Sequence, residues 1–167
     1  KDAGYLQYYH NELQYYSIDK LSNKLYGDKT EKTNAIDLQQ TFTVSDTNKL
    51  VVGASWSDTD VDNVGHYNNS VDTIAFFVND TWEFAPTWIL NAGVRYDDHS
   101  EAGDETTLSA GLNKKFDENS HAYINWGQVF NAPTTGDLFE KSVASWGGTY
   151  GNPNLKAETG ETWTIGY

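Results

Sequence analysis

TIAFFVNDTWEFAPTWILNAGVRY, residues 73–96, carries two runs of alternating apolar residues on either side of a short turn. Ile74, Phe76, Val78, Trp82 and Phe84 fall on one side of an extended chain. After a turn at Ala85–Thr87, Trp88, Leu90, Ala92, Val94 and Tyr96 do the same, while Asn91, Gly93 and Arg95 fall opposite. Side chains alternate across a strand with period two, so the segment predicts two antiparallel strands with one greasy and one wet face. The turn is too short for a crossover and suits a hairpin.

The same alternation recurs outward in both directions. Ile36, Leu38, Phe42 and Val44 share a face over 35–44, and Leu50, Val52, Ala54 and Trp56 over 49–57. Leu108, Ala110, Leu112 and Phe116 do so over 106–116, and Ala122, Ile124, Trp126 and Phe130 over 122–130. Residues 162–167 begin another strand; Tyr5–Tyr16 predicts one whose facing is left open by the Tyr8-Tyr9 and Tyr15-Tyr16 pairs. Short turns at Ser45–Asn48, Ala85–Thr87 and Asp117–Asn119 alternate with long polar loops expected at Ser17–Glu31, Asp58–Val71, Asp97–Glu105 and Asn131–Glu161. Tight turns at one end and long connections at the other are the pattern of an up-and-down outer-membrane barrel.

Polar residues on the apolar face test that idea. Gln40, Asp80 and Lys114 each lie close to a short turn. A charge facing lipid costs about 2–4 kcal/mol at the bilayer midplane and about 0–1 near an interface. Aromatics cluster toward both ends of the same face, with Phe42, Trp82, Phe84, Trp88 and Phe116 low and Trp56, Tyr96, Trp126 and Phe130 high. These read as two interfacial girdles. The other face, rich in Asn, Thr, Ser, Gln and Gly, would make a poor hydrophobic core and suits a wet lumen. The expected fold class is therefore all-β, an antiparallel up-and-down transmembrane β-barrel contributing about eight strands.

Composition agrees. The 167 residues hold six Trp, eleven Tyr and seven Phe but three Pro and no Cys or Met. No apolar run approaches the roughly 20 residues a membrane helix needs, which leaves strand crossing open. Without Cys there is no disulfide framework or thiol chemistry, and the chain fits an oxidising compartment. A net charge of -13 argues against nucleic acid as a partner. The start at Lys1 reads as a mature or excised chain.

Three stretches give the chain a resemblance to a known family. They are Phe76–Trp82 with Leu90–Asp97, then Tyr123–Pro133, then Gly151–Thr159 running into 162–167. In order and spacing over residues 74–167 they resemble TonB-dependent outer-membrane receptors, which take up siderophores, haem or cobalamin; residues 1–70 fit as generic barrel. The resemblance implies a barrel of about 22 strands closed by an N-terminal plug, in the outer membrane of a Gram-negative-type bacterium. All of residues 1–167 would then belong to the barrel domain, with the plug and remaining strands outside this chain. It implies a metal chelate as ligand, a ferric siderophore first, and energy from the TonB complex acting through the plug. Outer-membrane lipid and lipopolysaccharide would be the surroundings.

The family's Phe-Arg-Ala-Pro box stands here as Phe130, Asn131, Ala132 and Pro133, with Asn in place of Arg. Its Asn-Pro-Asn-Leu box is Asn152, Pro153, Asn154 and Leu155. In haem receptors the two flank a loop with a His ligand; residues 134–151 contain no His. The layout is also similar to that of cobalamin receptors.

Candidate ligand contacts are Trp146 and Tyr150, aromatics in a glycine-rich loop suited to stacking on a flat ligand. His66 and His99 lie in expected outer loops, within reach of a metal complex. Arg95, on the lumen face, is expected to pair with plug carboxylates. Asp58, Asp60 and Asp62 resemble the opening of a calcium loop but lack its glycine and closing Glu, so calcium competes with a simple solvated acidic loop. A second acidic patch of Asp97, Asp98, Glu101, Asp104 and Glu105 can clamp divalent ions between lipopolysaccharide headgroups. No nucleophile motif, metal-ligand His pair or phosphate loop points to an enzyme. Two rivals stand beside the receptor reading, a complete small barrel with a structural or adhesion role and a soluble carbohydrate-binding sandwich.

Overall fold

The computed structural model describes residues 2–144 and 147–167. Eight strands form one antiparallel sheet: β1 (Ala3–Asp19), β2 (Lys24–Ser45), β3 (Asn48–Asn63), β4 (Tyr67–Ala85), β5 (Trp88–His99), β6 (Gly103–Lys115), β7 (His121–Asn131) and β10 (Glu158–Gly166). Their order in the sheet is their order in the chain, with β1 and β10 at the two edges. Between β7 and β10 lie one helical turn, α1 (Thr135–Phe139), and a small hairpin of β8 (Lys141–Ala144) and β9 (Gly147–Tyr150).

The register fixes the two faces. Ile36 pairs with Trp56, Trp56 with Ile74, Val78 with Val94 and Ala110 with Trp126, so the apolar positions form continuous rows across the sheet. Leu6 and Tyr8 of β1 pair with Leu38 and Ile36, which settles the facing of that strand. Its Tyr5, Tyr9 and Tyr15 lie on the wet face. Large apolar side chains such as Leu38, Phe76, Leu108 and Trp163 remain exposed along the greasy face. A contiguous apolar surface of this kind calls for a cover other than water, and its regular rows suit the lipid-facing side of a barrel wall.

The three polar residues on that face are all provided for near the short turns. Asn48 donates to Asp80 at 2.8 Å. The Lys114 ammonium donates to the Thr87 hydroxyl at 2.6 Å and sits 4.6 Å from the centre of the Trp88 ring. The Gln40 amide donates to its neighbour's carbonyl, Thr41 O, at 2.9 Å. Each partnership reduces the cost of a polar group beside lipid.

The other face is the inward one. Ala35, Val61 and Ala75 are buried there, together with Asp97 and His99. The glycines on this face do not leave it thin. Gly53 is overlain by the Phe77 ring of the paired strand, where a Cβ would collide.

The long outer loops expected from the sequence are instead strands. The residues 17–31, 58–71 and 97–105 continue the ladders of the membrane portion and close with tight turns. Asn23 at φ 52° and Gly65 at φ 82° supply the left-handed residues that two of those turns require. With 22 residues at about 3.4 Å each, β2 reaches far beyond the roughly 25 Å apolar band. Its outer third therefore stands in water on both sides. No greasy stripe is needed there, which is why the alternation that marks a strand disappears. The stretch 131–161 alone remains a true excursion, and even there β10 begins at Glu158 rather than at 162.

Candidate functional site

The excursion between β7 and β10 is folded, and the two sequence boxes build it together. Phe130, Asn131, Ala132 and Pro133 lead directly into the N-terminus of α1. Thr134 caps that turn: its hydroxyl accepts from Asp137 N at 3.2 Å, and the Asp137 carboxylate accepts from Thr134 N at 2.9 Å. The Thr134 hydroxyl and backbone amide hold the Asp137 carboxyl below its usual range. A capping box of this type satisfies two amides that the helix start would leave unpaired.

The second box closes the other end. Gly151 N donates to Glu140 O at 2.7 Å and Asn152 N to Asp137 O at 2.8 Å, meeting carbonyls that α1 cannot bond internally. Asn152 then makes a turn of its own, accepting from Asn154 N at its side chain and from Leu155 N at its carbonyl. A Cβ on Gly151 would stand 2.5 Å from the Leu138 carbonyl carbon, so only glycine allows this approach. The layout is thus a clasp, in which the chain before and after the loop ties off one helical turn.

The clasp docks on the β3–β4 hairpin. Glu140 accepts from His66 Nδ1 and from Asn63 Nδ2, the latter at 3.3 Å. The Tyr67 and Phe139 rings lie 6.3 Å apart, and the Tyr67 and Thr135 hydroxyls are 3.3 Å apart. Asn63 and Tyr67 belong to the inward face, so the loop folds over the lumen side. Beneath it is a cavity of about 630 Å³ between the inward faces of β2–β5 and residues 132–136. A second cavity, of about 300 Å³, opens between the loop and the hairpin tip.

These cavities gather some of the residues singled out in the sequence and disperse others. His99, Ala132 and Pro133 line the larger one; His66, Tyr150 and Pro153 line the smaller. Tyr150 is exposed on β9. Trp146 lies outside the described residues. Phe130 is on the lipid face, paired with Thr159, and Asn131 faces inward, donating to Glu158 at 3.4 Å.

Neither histidine is free as expected for a loop residue. His66 is engaged by Glu140. His99 Nδ1 accepts from Glu101 N at 3.2 Å and Ala102 N at 3.1 Å, within the β5–β6 turn. That leaves the proton on Nε2. Burial beyond the apolar band keeps the His99 imidazole below its ordinary pKa, against the opposing effects of Glu101 and Asp98. Arg95, expected to await plug carboxylates, is clamped by Asp97 of its own strand, donating Nε to both carboxylate oxygens and Nη2 to one at 2.8–3.0 Å.

The acidic readings change most. Asp58, Asp60 and Asp62 lie on strand β3, not in a loop, and alternate residues of a strand sit about 7 Å apart on one face. They do not converge, and no group of three metal-ligating side chains occurs among the described residues. The second patch divides between faces, with Asp98 paired to Asp104 on one and Asp97 to Glu105 on the other.

Glu140, Asn63 and Tyr67 were not picked out in the sequence. Glu140 and His66 are 74 residues apart, and no local signal links them. The Thr134-x-x-Asp137 spacing, by contrast, is a capping box legible in the sequence itself.

The comparisons with known proteins agree with this architecture. Residues 2–167 match the family model described as TonB dependent receptor-like, beta-barrel. The vitamin B12 transporter BtuB of Vibrio cholerae is 31% identical over 75 residues, 45% of this chain and 11% of that protein. Among solved structures, a variant of the ferric enterobactin receptor PfeA from Pseudomonas aeruginosa superposes with a TM-score of 0.78 at 18% identity, covering 98% of this chain and 29% of that one. The siderophore receptor PirA from the same organism gives 0.74 at 17% identity, covering 98% of this chain and 36% of that one. At such identities the structures establish the fold, and the chain spans only a small part of each relative. With a family model running almost from end to end over an open eight-stranded sheet, greasy on one face and clasped by its loop on the other, the chain belongs to the TonB-dependent receptor family as a stretch of its β-barrel.

Proposed function

We propose that this chain is part of an outer-membrane receptor that captures a metal complex at the cell surface and imports it with energy delivered through TonB. The observation that carries the reading is the clasped loop, held on the inward side of the barrel wall over a cavity of about 630 Å³ at its outer end. A loop so placed lies on the path from the medium to the lumen and contributes to a ligand pocket at the mouth. The inward face offers hydroxyl and amide groups rather than a nucleophile with a base, which suits binding and passage, not turnover. A ferric siderophore is the first ligand class, in keeping with the siderophore receptors whose fold it shares. A cobalamin is the second, favoured by the stretch that resembles the vitamin B12 transporter. Axial haem ligation has no histidine between the two boxes to support it.

The test is complementation. The complete receptor is expressed in a Gram-negative host lacking its own chelate receptors, and uptake of radiolabelled iron chelates and cobalamin is followed. The proposal expects at least one chelate to accumulate, with accumulation abolished in a host lacking TonB. Uptake that persists without TonB, or none for any chelate despite surface display, contradicts it.

A further inference from the structure

The larger cavity has an electrical character that narrows what can occupy it. Its charged and titratable lining residues, among those described, are Lys29, Glu31, Tyr67, His99 and Glu140. Lys29 is neutralised by Glu31, Nζ to Oε2 at 3.2 Å on the same strand. The Glu140 carboxylate accepts from His66 and Asn63. His99 is held as the neutral imidazole by two turn amides on Nδ1, leaving Nε2–H as a donor on a wall residue. The remaining polar lining is hydroxyl-bearing, including Ser57, Thr59 and Thr73.

Among the described residues, the inward face around the cavity gives no spare lysine or arginine. Arg95, the next inward-facing cation along the wall, is occupied by Asp97. Glu105 and Glu158, also inward-facing, have no Lys or Arg partner among the described residues. Lys141 borders the smaller cavity, not this one. A polyanion leaving water for this cleft would lose its hydration and find no free lysine or arginine among the described residues to replace it. A neutral ligand with amides and hydroxyls at its rim would exchange water for the hydroxyls and the His99 donor at little cost.

We infer that this cavity receives the rim of an electrically neutral metal chelate, one whose charge is cancelled inside its own coordination shell, and excludes polyanionic chelates. The inference rests on the transport reading and narrows its ligand class. It sets a neutral ferric tris-hydroxamate or a corrinoid ahead of a trianionic ferric tris-catecholate.

The experiment uses the complete receptor in detergent. Binding of a neutral ferric tris-hydroxamate, cyanocobalamin and a ferric tris-catecholate is followed by quenching of intrinsic Trp fluorescence, at low and high salt. One of the neutral chelates is expected to bind at least about tenfold more tightly than the trianion. Glu31→Gln, which releases Lys29, is expected to improve trianion binding several-fold at low salt, with the gain lost at high salt. Thr73→Lys adds a cation to the same wall without touching the Lys29–Glu31 pair and is expected to give the same salt-sensitive gain in trianion binding should Glu31→Gln fail to fold. Tighter binding of the trianion to the unaltered receptor overturns the inference while leaving a chelate receptor in place. Neutral preference with no response of the trianion to either substitution overturns the assignment to this cavity. Binding of none of the three, where uptake assays also fail, removes the transport reading and the inference with it.

Discussion

At the scale of single residues, the clearest lesson is how His99 is held. The sequence places it in an expected outer loop, within reach of a metal complex. The fold spends its Nδ1 lone pair on the amides of Glu101 and Ala102 and buries the ring, so ligation through Nε2 would require moving the proton to Nδ1 and breaking the turn. Its lowered pKa has a definite sign for stability. Between its depressed folded value and the ordinary value of about 6.5, the unfolded turn binds the proton and the folded one does not. The stabilisation is therefore complete above about pH 6.5 and lost as pH falls through the folded value. Amide-exchange protection factors at Glu101 and Ala102, corrected for intrinsic rates, should drop as the pH is lowered from 7 to 5, and His99→Gln should remove that dependence. Protection unchanged across the range would mean the imidazole does not hold the turn.

At the scale of elements, the strands inside the membrane were legible because lipid on one side and water or protein on the other impose a period of two. Val94 shows the rule at work: it lies between Val78 and Leu108 in the middle of the greasy face. Val94→Lys should destabilise the folded barrel by about 2–4 kcal/mol, whereas Thr107→Lys, on the inward face one row away, should stay within about 1 kcal/mol. Urea titration of the complete barrel in lipid measures both; equal costs would mean the two faces are not chemically distinct. The outer extensions of β2–β6 were missed because both their faces are wet, so composition there is that of a loop while the ladder simply continues from below. The excursion after β7 was legible at its two boxes, which stand at recognisable spacing, but not in its docking. His66, Asn63 and Glu140 meet only because the sheet brings the β3–β4 tip beside α1. Nothing local in 63–66 or in 140 announces that meeting. The Arg95–Asp97 clamp was equally hidden, since two residues apart on a strand is also the spacing of a merely shared face.

At the scale of the whole molecule, the sheet is a stretch of a TonB-dependent receptor's barrel wall with a lumen side, and every site on it depends on that orientation. The clasp, the two cavities and the paired charges lie on the inward face, and the exposed apolar rows lie on the outward one. This stretch contains no cysteine, so a thiol introduced into it has no competitor there, and any cysteine elsewhere in the complete receptor is first replaced by serine. The most direct measurement places a nitroxide in turn at Ile74, Ala75, Phe76, Phe77 and Val78 of the complete receptor, each substituted by Cys, in lipid bilayers. Collision with dissolved oxygen and with a water-soluble nickel chelate is then compared. Labels at 74, 76 and 78 are expected to favour oxygen, those at 75 and 77 to be shielded from it, with the sign alternating at every residue. A profile with no alternation, or one in which 75 and 77 face the hydrocarbon, would contradict the assignment of this sheet as a barrel wall.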